Sequence, residues 1–314
     1  MNLKKVRTGG IPDSRLELKK GMPNNRNLVP IVKNQTNFYN LQYIGTLFIG
    51  TNRQKMDFIF DTGSTQLWVP MDGCIGCANG NKYVPTDEFE ATGVTDYISY
   101  AKGYVRGEVF KDVVRFTEYG FPLRISMLGV TYGEDNQGME ADGILGLSPS
   151  ENQNDELLVK KLYFTKTIDI HAFGVSYLNE GEDSKIIFGG YDKTIVPSLN
   201  NFTWFDLVDT FYWSINITGV FHHGENLNAS ETVGVLDTGT SLVYFNYNTF
   251  LPIWEDIQSK HQECGINSGG WYYCFCDGVQ NFTDITIQIS GVNVTFPGYS
   301  YVEYNPPDGN FAGV

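Results

Sequence analysis

Short apolar runs separated by turn residues dominate the chain from Tyr43 onward. Tyr43–Gly50 and Met56–Asp61 read as buried strands, apolar on both sides and bounded by Gly, Thr and Asn. Tyr97–Phe110 holds two strand-like runs about a Gly-containing turn, which predicts a hairpin. Thr283–Ser290 alternates, with its isoleucines on one face. Helical periodicity is confined to Asp155–Leu162 and Thr249–His261, the second with Pro252 in its first turn. Residues 1–30 carry Pro, Gly and basic residues with little periodicity and read as a loosely structured arm. The pattern predicts a mainly β protein.

Composition agrees with that pattern. Apolar residues make up 41% of the 314 residues and charged residues 18%, a folded composition. Phe, Tyr and Trp number 21, 19 and 5 beside 34 glycines, which suits strands joined by tight turns. The length suggests two lobes and is enough to bury a core without help from disulfides or metals. No run of 18 apolar residues occurs, so no spanning helix is expected, and Met1–Val6 lacks the apolar stretch of a signal peptide.

The net charge is −14, which argues against a general nucleic-acid binder. The charge is uneven. Residues 1–33 hold Lys4, Lys5, Arg7, Arg15, Lys19, Lys20, Arg26 and Lys33 against Asp13 and Glu17, a net of +6, and the rest of the chain carries −20. Such an arm is either a nucleic-acid tail or a segment that docks on the body, and the acidic body favours docking.

The five cysteines are Cys74, Cys77, Cys264, Cys274 and Cys276. The spacing of Cys74 and Cys77 fits a redox pair, half a zinc site or a small disulfide loop. A four-thiolate zinc site from Cys74, Cys77, Cys274 and Cys276 is a further option, although Cys-x-Cys suits zinc ribbons poorly. Sequons at Asn34, Asn201, Asn216, Asn228, Asn281 and Asn293, taken with the cysteines, point to a secretory, extracellular or lysosomal/vacuolar compartment.

One long-range repeat stands out. Phe58-Ile-Phe-Asp-Thr-Gly-Ser-Thr65 recurs as Gly234-Val-Leu-Asp-Thr-Gly-Thr-Ser241, 176 residues further on. Chance would place two copies of that five-residue core in one chain with odds of roughly one in a million. An apolar strand that ends in Asp-Thr-Gly delivers a carboxylate at a tight turn. Gly63 and Gly239 let the backbone pass close by, and Ser64 and Thr240 supply hydroxyls for the carboxylate. Two such loops meeting would set Asp61 beside Asp237. Two carboxylates in contact share one proton, which gives one acid and one base. A lone Asp-Thr-Gly is an ordinary turn; two in matching contexts are not.

With these motifs the sequence resembles the pepsin-like aspartic proteases, from about Tyr39 to its end. Asp61–Pro70 resembles the first active-site loop and its tryptophan, Ile98–Tyr100 the start of the flap, and Asp142–Leu147 the segment beneath the first loop. Phe188–Asp192 and Tyr212–Ile215 resemble the crossing between lobes. The resemblance implies a mainly β, bilobal pepsin-like acid protease fold whose cleft lies between the lobes. Its divisions would be a basic prosegment-like arm at 1–35, an N-terminal lobe at 36–190 and a C-terminal lobe at 191–314. It implies an aspartic endopeptidase active at acidic pH, made as a zymogen and monomeric, that binds polypeptide as an extended strand without cofactor or metal.

Carried over residue by residue, Asp61 and Asp237 are the catalytic pair, and Ser64 and Thr240 bond their outer oxygens. Thr62 and Thr238 lock the loops together, and Trp68 braces Tyr100. Ile59, Tyr100 and Ile144 line a pocket beside the scissile bond; the isoleucines read equally well as ordinary core. A small loop of the Cys74–Cys77 kind occurs in the family, so these two are expected to pair. A bridge between Cys274 and Cys276 would be strained, so Cys264 is paired with Cys274, and Cys276 is left for a partner beyond the recorded chain. Lys19 or Lys20 would point a cation at the dyad. Two departures stand out. Ala101-Lys102-Gly103 replaces the Gly that usually follows the flap tyrosine, and no second apolar-apolar-Gly segment precedes Val314, so the chain is expected to be a fragment. The alternative function is a non-catalytic pepsin-fold glycoprotein that binds peptides or proteins; loss of either Asp would favour it, and neither is lost.

Overall fold

The computed structural model describes residues 30–38, 42–78, 80–100, 103–134, 138–149, 156–178, 184–268, 270, 272–276, 278–279, 282–305 and 310–312. These residues are mainly β and form two compact units. The first takes in the described residues up to Trp204 together with Asp209–Trp213 and Asp237–Gly239. The second comprises Phe205–Val208, Ser214–Leu236 and the described residues from Thr240 on. The expected lobe boundary at residue 190 is therefore crossed, and the second Asp-Thr-Gly triplet belongs with the first unit.

The strands of the first unit are β1 (Ile31–Phe38), β2 (Gln42–Ile49), β3 (Gln54–Asp61), β4 (Leu67–Ile75), β5 (Glu90–Ser99), β6 (Tyr104–Arg115), β7 (Leu123–Glu134), β8 (Gly143–Gly146), β9 (Phe173–Ser176) and β10 (Ser184–Phe188). One helix, α1 (Leu158–Phe164), accompanies them. The strands lie in the order β5-β6-β7-β4-β8-β3-β2-β1-β10-β9, and β6 also pairs with β2. The short apolar strand β8 is held between two neighbours, parallel to β3 and antiparallel to β4. A strand flanked on both sides and covered on both faces reads as a continuous apolar run, as Gly-Ile-Leu-Gly does.

Alternation sorts the side chains of this sheet into two cores. Phe58, Phe60, Leu67, Val69 and Leu145 pack into one cluster. Their sequence neighbours Ile59, Trp68 and Ile144 pack into another, on the opposite face. Asp61 is two residues beyond Ile59, so the strand delivers its carboxylate on the Ile59 face.

Residues 1–29 of the expected arm lie outside the described residues, and with them Lys19 and Lys20. The arm boundary at residue 35 falls inside β1, which pairs with β10 from Ile31↔Phe188 to Gln35↔Ser184 and with β2 through Thr36, Asn37 and Phe38. Lys33, counted with the arm charges, sits in this strand and donates from Nζ to the Phe116 carbonyl at 2.7 Å. Burial lowers its pKa, partly offset by the charge of Asp57. The polar run Lys33-Asn-Gln-Thr-Asn37 hides the strand from periodicity, because its hydrogen bonds come from remote β10.

The second unit holds β11 (Ser214–His222), β12 (Glu225–Asn226), β13 (Val233–Val235), β14 (Gln262–Ile266), β15 (Tyr272–Phe275), β16 (Ile285–Ile289), β17 (Val292–Phe296), β18 (Glu303–Asn305) and β19 (Asn310–Ala312), with helix α2 (Tyr247–Lys260). Strand β11 pairs with β12, β13 and β16, and β17 follows β16. Ile253, Trp254 and Ile257 of α2 share a cluster with Val220, Phe282, Ile285 and Cys274. The helix starts at Tyr247, two residues before the predicted start, because the Asn246 side chain caps it by accepting from the Thr249 amide at 3.1 Å. Pro252 therefore lies inside the helix and not in its first turn. Helix α1 likewise lies at Leu158–Phe164, where Asp155–Leu162 is predicted; Asp155 lies outside the described residues.

Candidate active site

Strand β3 ends in Asp61, and its ladder with β8 runs from Phe58↔Gly143 to Asp61↔Gly146. The support continues past the strand. Leu147 N donates to Asp61 O at 2.7 Å, Ser148 N to Ser64 O at 2.8 Å and Gly146 N to Gln66 O at 2.9 Å. The segment Asp142–Leu147 thus braces the turn at Asp61 as the sequence predicts.

The Asp61 carboxylate is 4% exposed. Its Oδ1 accepts from the Gly63 amide at 2.8 Å and its Oδ2 from the Ser64 hydroxyl. The second triplet repeats this: Asp237 Oδ1 accepts from the Gly239 amide at 2.8 Å. The turns are tied to each other. Thr62 N donates to Thr238 Oγ1 at 3.1 Å, Thr238 N to Thr62 Oγ1 at 2.9 Å, and Thr238 Oγ1 to the Phe60 carbonyl at 2.6 Å. Each glycine lies against the other turn's carboxylate. A methyl on Gly63 would stand 2.6 Å from Asp237 Oδ2, and one on Gly239 would overlap Asp61 Oδ1. Only glycine fits such an approach. Thr240, the counterpart of Ser64, belongs to the second unit.

Burial is the largest influence on Asp61 and raises its pKa. The Ser64 hydrogen bond opposes burial, the charge and hydrogen bond of Asp237 add to it, and the result is about 7. A carboxyl so placed can keep its proton while a neighbouring carboxylate is ionised, which provides an acid and a base at one point.

The other expected residues stand around this pair. Trp68 Nε1 donates to Tyr100 OH at 2.8 Å, so the brace read from the sequence is present. Burial pushes the Tyr100 hydroxyl up, and the Asp61 charge adds to the shift. Tyr100 N also donates to Gly103 O at 3.0 Å, at the end of the β5–β6 hairpin; Ala101 and Lys102 lie outside the described residues. Ile59 and Ile144, each 9% exposed, pack with Trp68, Val105, Leu128 and the half-buried Tyr100. The two disulfides are Cys74–Cys77 and Cys264–Cys274, as expected. With Cys74, Cys77 and Cys274 in disulfides, three of the four thiolates of the zinc option are taken up. Cys276 is half-buried and outside both bridges.

Three supports were not legible in the sequence. Gln66 Nε2 donates to Asp96 Oδ2 at 2.8 Å, which ties the Asp61 loop to β5. Trp213 Nε1 donates to Leu147 O at 2.8 Å, and the Ser148 hydroxyl donates to Phe211 O. Trp213 falls inside the Tyr212–Ile215 motif, but nothing local names its partner 66 residues away.

The sequence model of the eukaryotic aspartyl proteases matches residues 42–311. The chain is 29% identical to pepsin A of Suncus murinus over 284 residues, 87% of this chain and 71% of that protein. It is 30% identical to pepsin A of Bos taurus over 278 residues, 85% and 72% of the two chains. It is also 29% identical to a pregnancy-associated glycoprotein of Equus caballus over 287 residues, 85% and 69% of the two. With the match running through both Asp-Thr-Gly turns and most of the chain, this protein belongs to the eukaryotic aspartyl protease family.

Proposed function

We propose that the chain is an aspartic endopeptidase in which Asp61 and Asp237 form the catalytic pair. The observation that carries the reading is the reciprocal fit of the two turns, each glycine under the other's carboxylate, with Thr62 and Thr238 exchanging hydrogen bonds. In this reading the pair holds a single proton. The ionised carboxylate takes a proton from water as the water oxygen attacks the peptide carbonyl. The protonated carboxyl first donates to the carbonyl oxygen, and the leaving nitrogen is then protonated from the pair. Ser64 holds the outer oxygen of Asp61. The peptide lies extended against the β5–β6 hairpin, with Tyr100, braced by Trp68, over the reacting bond and Ile59 and Ile144 contributing apolar wall. The proton-sharing state is lost as pH rises through about 7, so cleavage belongs to acidic solution.

Two disulfides and the exposed sequons Asn34, Asn201, Asn228 and Asn293 support a route through the secretory pathway. Among the described residues no helix is long and apolar enough to cross a membrane. The basic residues ahead of Pro30 support a zymogen arm, and a monomer is the assembly proposed. A non-catalytic binding role is not favoured, because both aspartates and both close-approach glycines are in place.

The test is cleavage of a denatured protein at acidic pH, with and without a peptide inhibitor that mimics the tetrahedral intermediate. Asp61→Asn and Asp237→Asn should each lower kcat/KM by about 10³-fold or more, because one carboxylate cannot act as acid and base together. Substantial inhibitor-sensitive cleavage in either variant would remove the mechanism.

A further inference from the structure

The second unit carries a polar cluster that includes neither Asp-Thr-Gly turn. Strand β11 turns into β12 through His223 and Gly224, with φ of 55° and 77°, between the paired residues His222 and Glu225. This is the tight two-residue hairpin turn, in which Asn-Gly is the common choice and a histidine carries a conformational cost. Neighbouring residues of a strand point to opposite faces, and the turn cancels that alternation. The His222 and His223 rings come within 5.0 Å of each other, and both face Asp256 of α2.

His223 Nε2 is 3.1 Å from Asp256 Oδ2, and His222 Nδ1 is 3.7 Å from the same oxygen. Thr283 Oγ1 is 3.1 Å from His223 Nε2. The Lys260 ammonium sits among these groups, 2.7 Å from Asp256 Oδ2, 3.3 Å from Thr283 Oγ1 and in contact with His223 Nε2. The fold has thus gathered a carboxylate, a hydroxyl and imidazole nitrogen around one cationic group.

We propose that this cluster is a binding site for a divalent transition metal of the zinc class, with His222 Nδ1, His223 Nε2 and Asp256 Oδ2 as ligands and Lys260 as the cation the metal displaces. In a tetrahedral site with bonds near 2.1 Å, ligand atoms stand about 3.4 Å apart. The distances of 3.1 and 3.7 Å bracket that spacing, and all three ligand atoms lie within 4.8 Å of one another. Two imidazoles and a carboxylate suit zinc, cobalt or nickel better than calcium or magnesium, which take oxygen ligands. His222 is 4% exposed, so its ring is held in place beside Asp256. The Lys260 side chain is 35% exposed and can swing into water. A bound ion would staple the β11–β12 hairpin to the last turns of α2. The site is independent of the peptidase reading.

The experiment uses the full chain, stripped with a chelator, at neutral pH. Zn²⁺ is titrated calorimetrically, and Co²⁺ is titrated by its visible absorption. One saturable ion with tetrahedral Co²⁺ bands is expected. His223→Ala and Asp256→Asn should each weaken binding by about tenfold or more, and Lys260→Met should tighten it by removing the competing ammonium. Should the buried His222→Gln variant fail to fold, the His223 and Lys260 variants decide. Absence of saturable binding in both the wild type and Lys260→Met would overturn the site, as would binding that is unchanged in both His223→Ala and Asp256→Asn.

Discussion

At Gly63 and Gly239 a single hydrogen atom in place of a methyl group is what lets two carboxylates share one point. Alanine at either position should leave the strands intact and push the facing carboxylate aside. A displacement of about 1 Å is enough to cost roughly 10²-fold in rate. We expect Gly63→Ala and Gly239→Ala to fold, with native circular dichroism, and to lose at least that much kcat/KM. Near-normal activity in both would show that the approach is not critical. Asp61 makes a second prediction, on stability. Its carboxyl rises from 3.8 to about 7 on folding, so between those values the folded chain holds a proton that the unfolded chain has released. The stability from this proton is complete below 3.8 and is lost as pH rises to about 7. Asp192 works the other way: hydrogen bonds from Lys185 and Thr194 lower its pKa, so its contribution is lost only below 3.8. The windows do not overlap. Asp61→Asn should therefore flatten Tm against pH between about 4 and 7 relative to the wild type. Identical slopes would mean that Asp61 titrates normally. The pair and its turn glycines were legible because each Asp-Thr-Gly turn is local to its own strand, whereas the Trp68–Tyr100 brace, 32 residues apart, came only with the family resemblance. Gln66–Asp96 and Trp213–Leu147 were not legible, because those partners meet only through the sheet.

Elements were legible in proportion to how far they depend on their own residues. Strands β2 and β3 and the β5–β6 hairpin lie where apolar runs and turn residues predict them, and β16 covers most of the alternating run from Thr283. Strand β1 was missed because its pairing partner β10 begins about 150 residues later and its own residues are mostly polar. Helix α2 begins two residues before the start its periodicity predicts, because Asn246 supplies the cap. The cap is embedded: Asn246 N donates to Glu231 Oε1 at 2.9 Å, and Asn246 Nδ2 donates to Ser230 Oγ at 2.8 Å. Asn246→Ala should destabilise the protein by about 1 kcal/mol, with Asn246→Asp recovering part of the loss. Denaturant unfolding of the two variants beside the wild type measures this. Equal midpoints for alanine and wild type would show that packing of Ile253, Trp254 and Ile257 holds the helix without its cap.

On the scale of the whole chain, charge and strand pairing bear on the same segment. The basic arm read from the sequence extends to residue 33, yet Ile31 onward is built into a sheet through β10 and β2. The two facts are reconciled if a removable portion ends ahead of Ile31. Residues 1–30 keep Lys4, Lys5, Arg7, Arg15, Lys19, Lys20 and Arg26 against Asp13 and Glu17, a net of +5, which leaves −19 on the remainder. Attraction between these parts weakens as acid protonates carboxylates, so release of the arm should follow falling pH. Cleavage near Pro30 would free the charge without breaking a ladder, whereas cleavage beyond Gln35 would strip β10 of the partner that holds Phe188 and Ile186 in the core. A chain beginning at Pro30 should therefore unfold cooperatively, with a Tm close to that of the full chain, and should be active without an acid lag. A chain beginning at Thr36 should expose that edge and aggregate. The comparison is made by thermal unfolding, light scattering and the onset of cleavage as pH is lowered. If the chain from Pro30 keeps the full chain's lag and pH threshold, the arm has no inhibitory role; if the chain from Thr36 is as stable as the chain from Pro30, β1 is an ornament to the sheet and not a part of it.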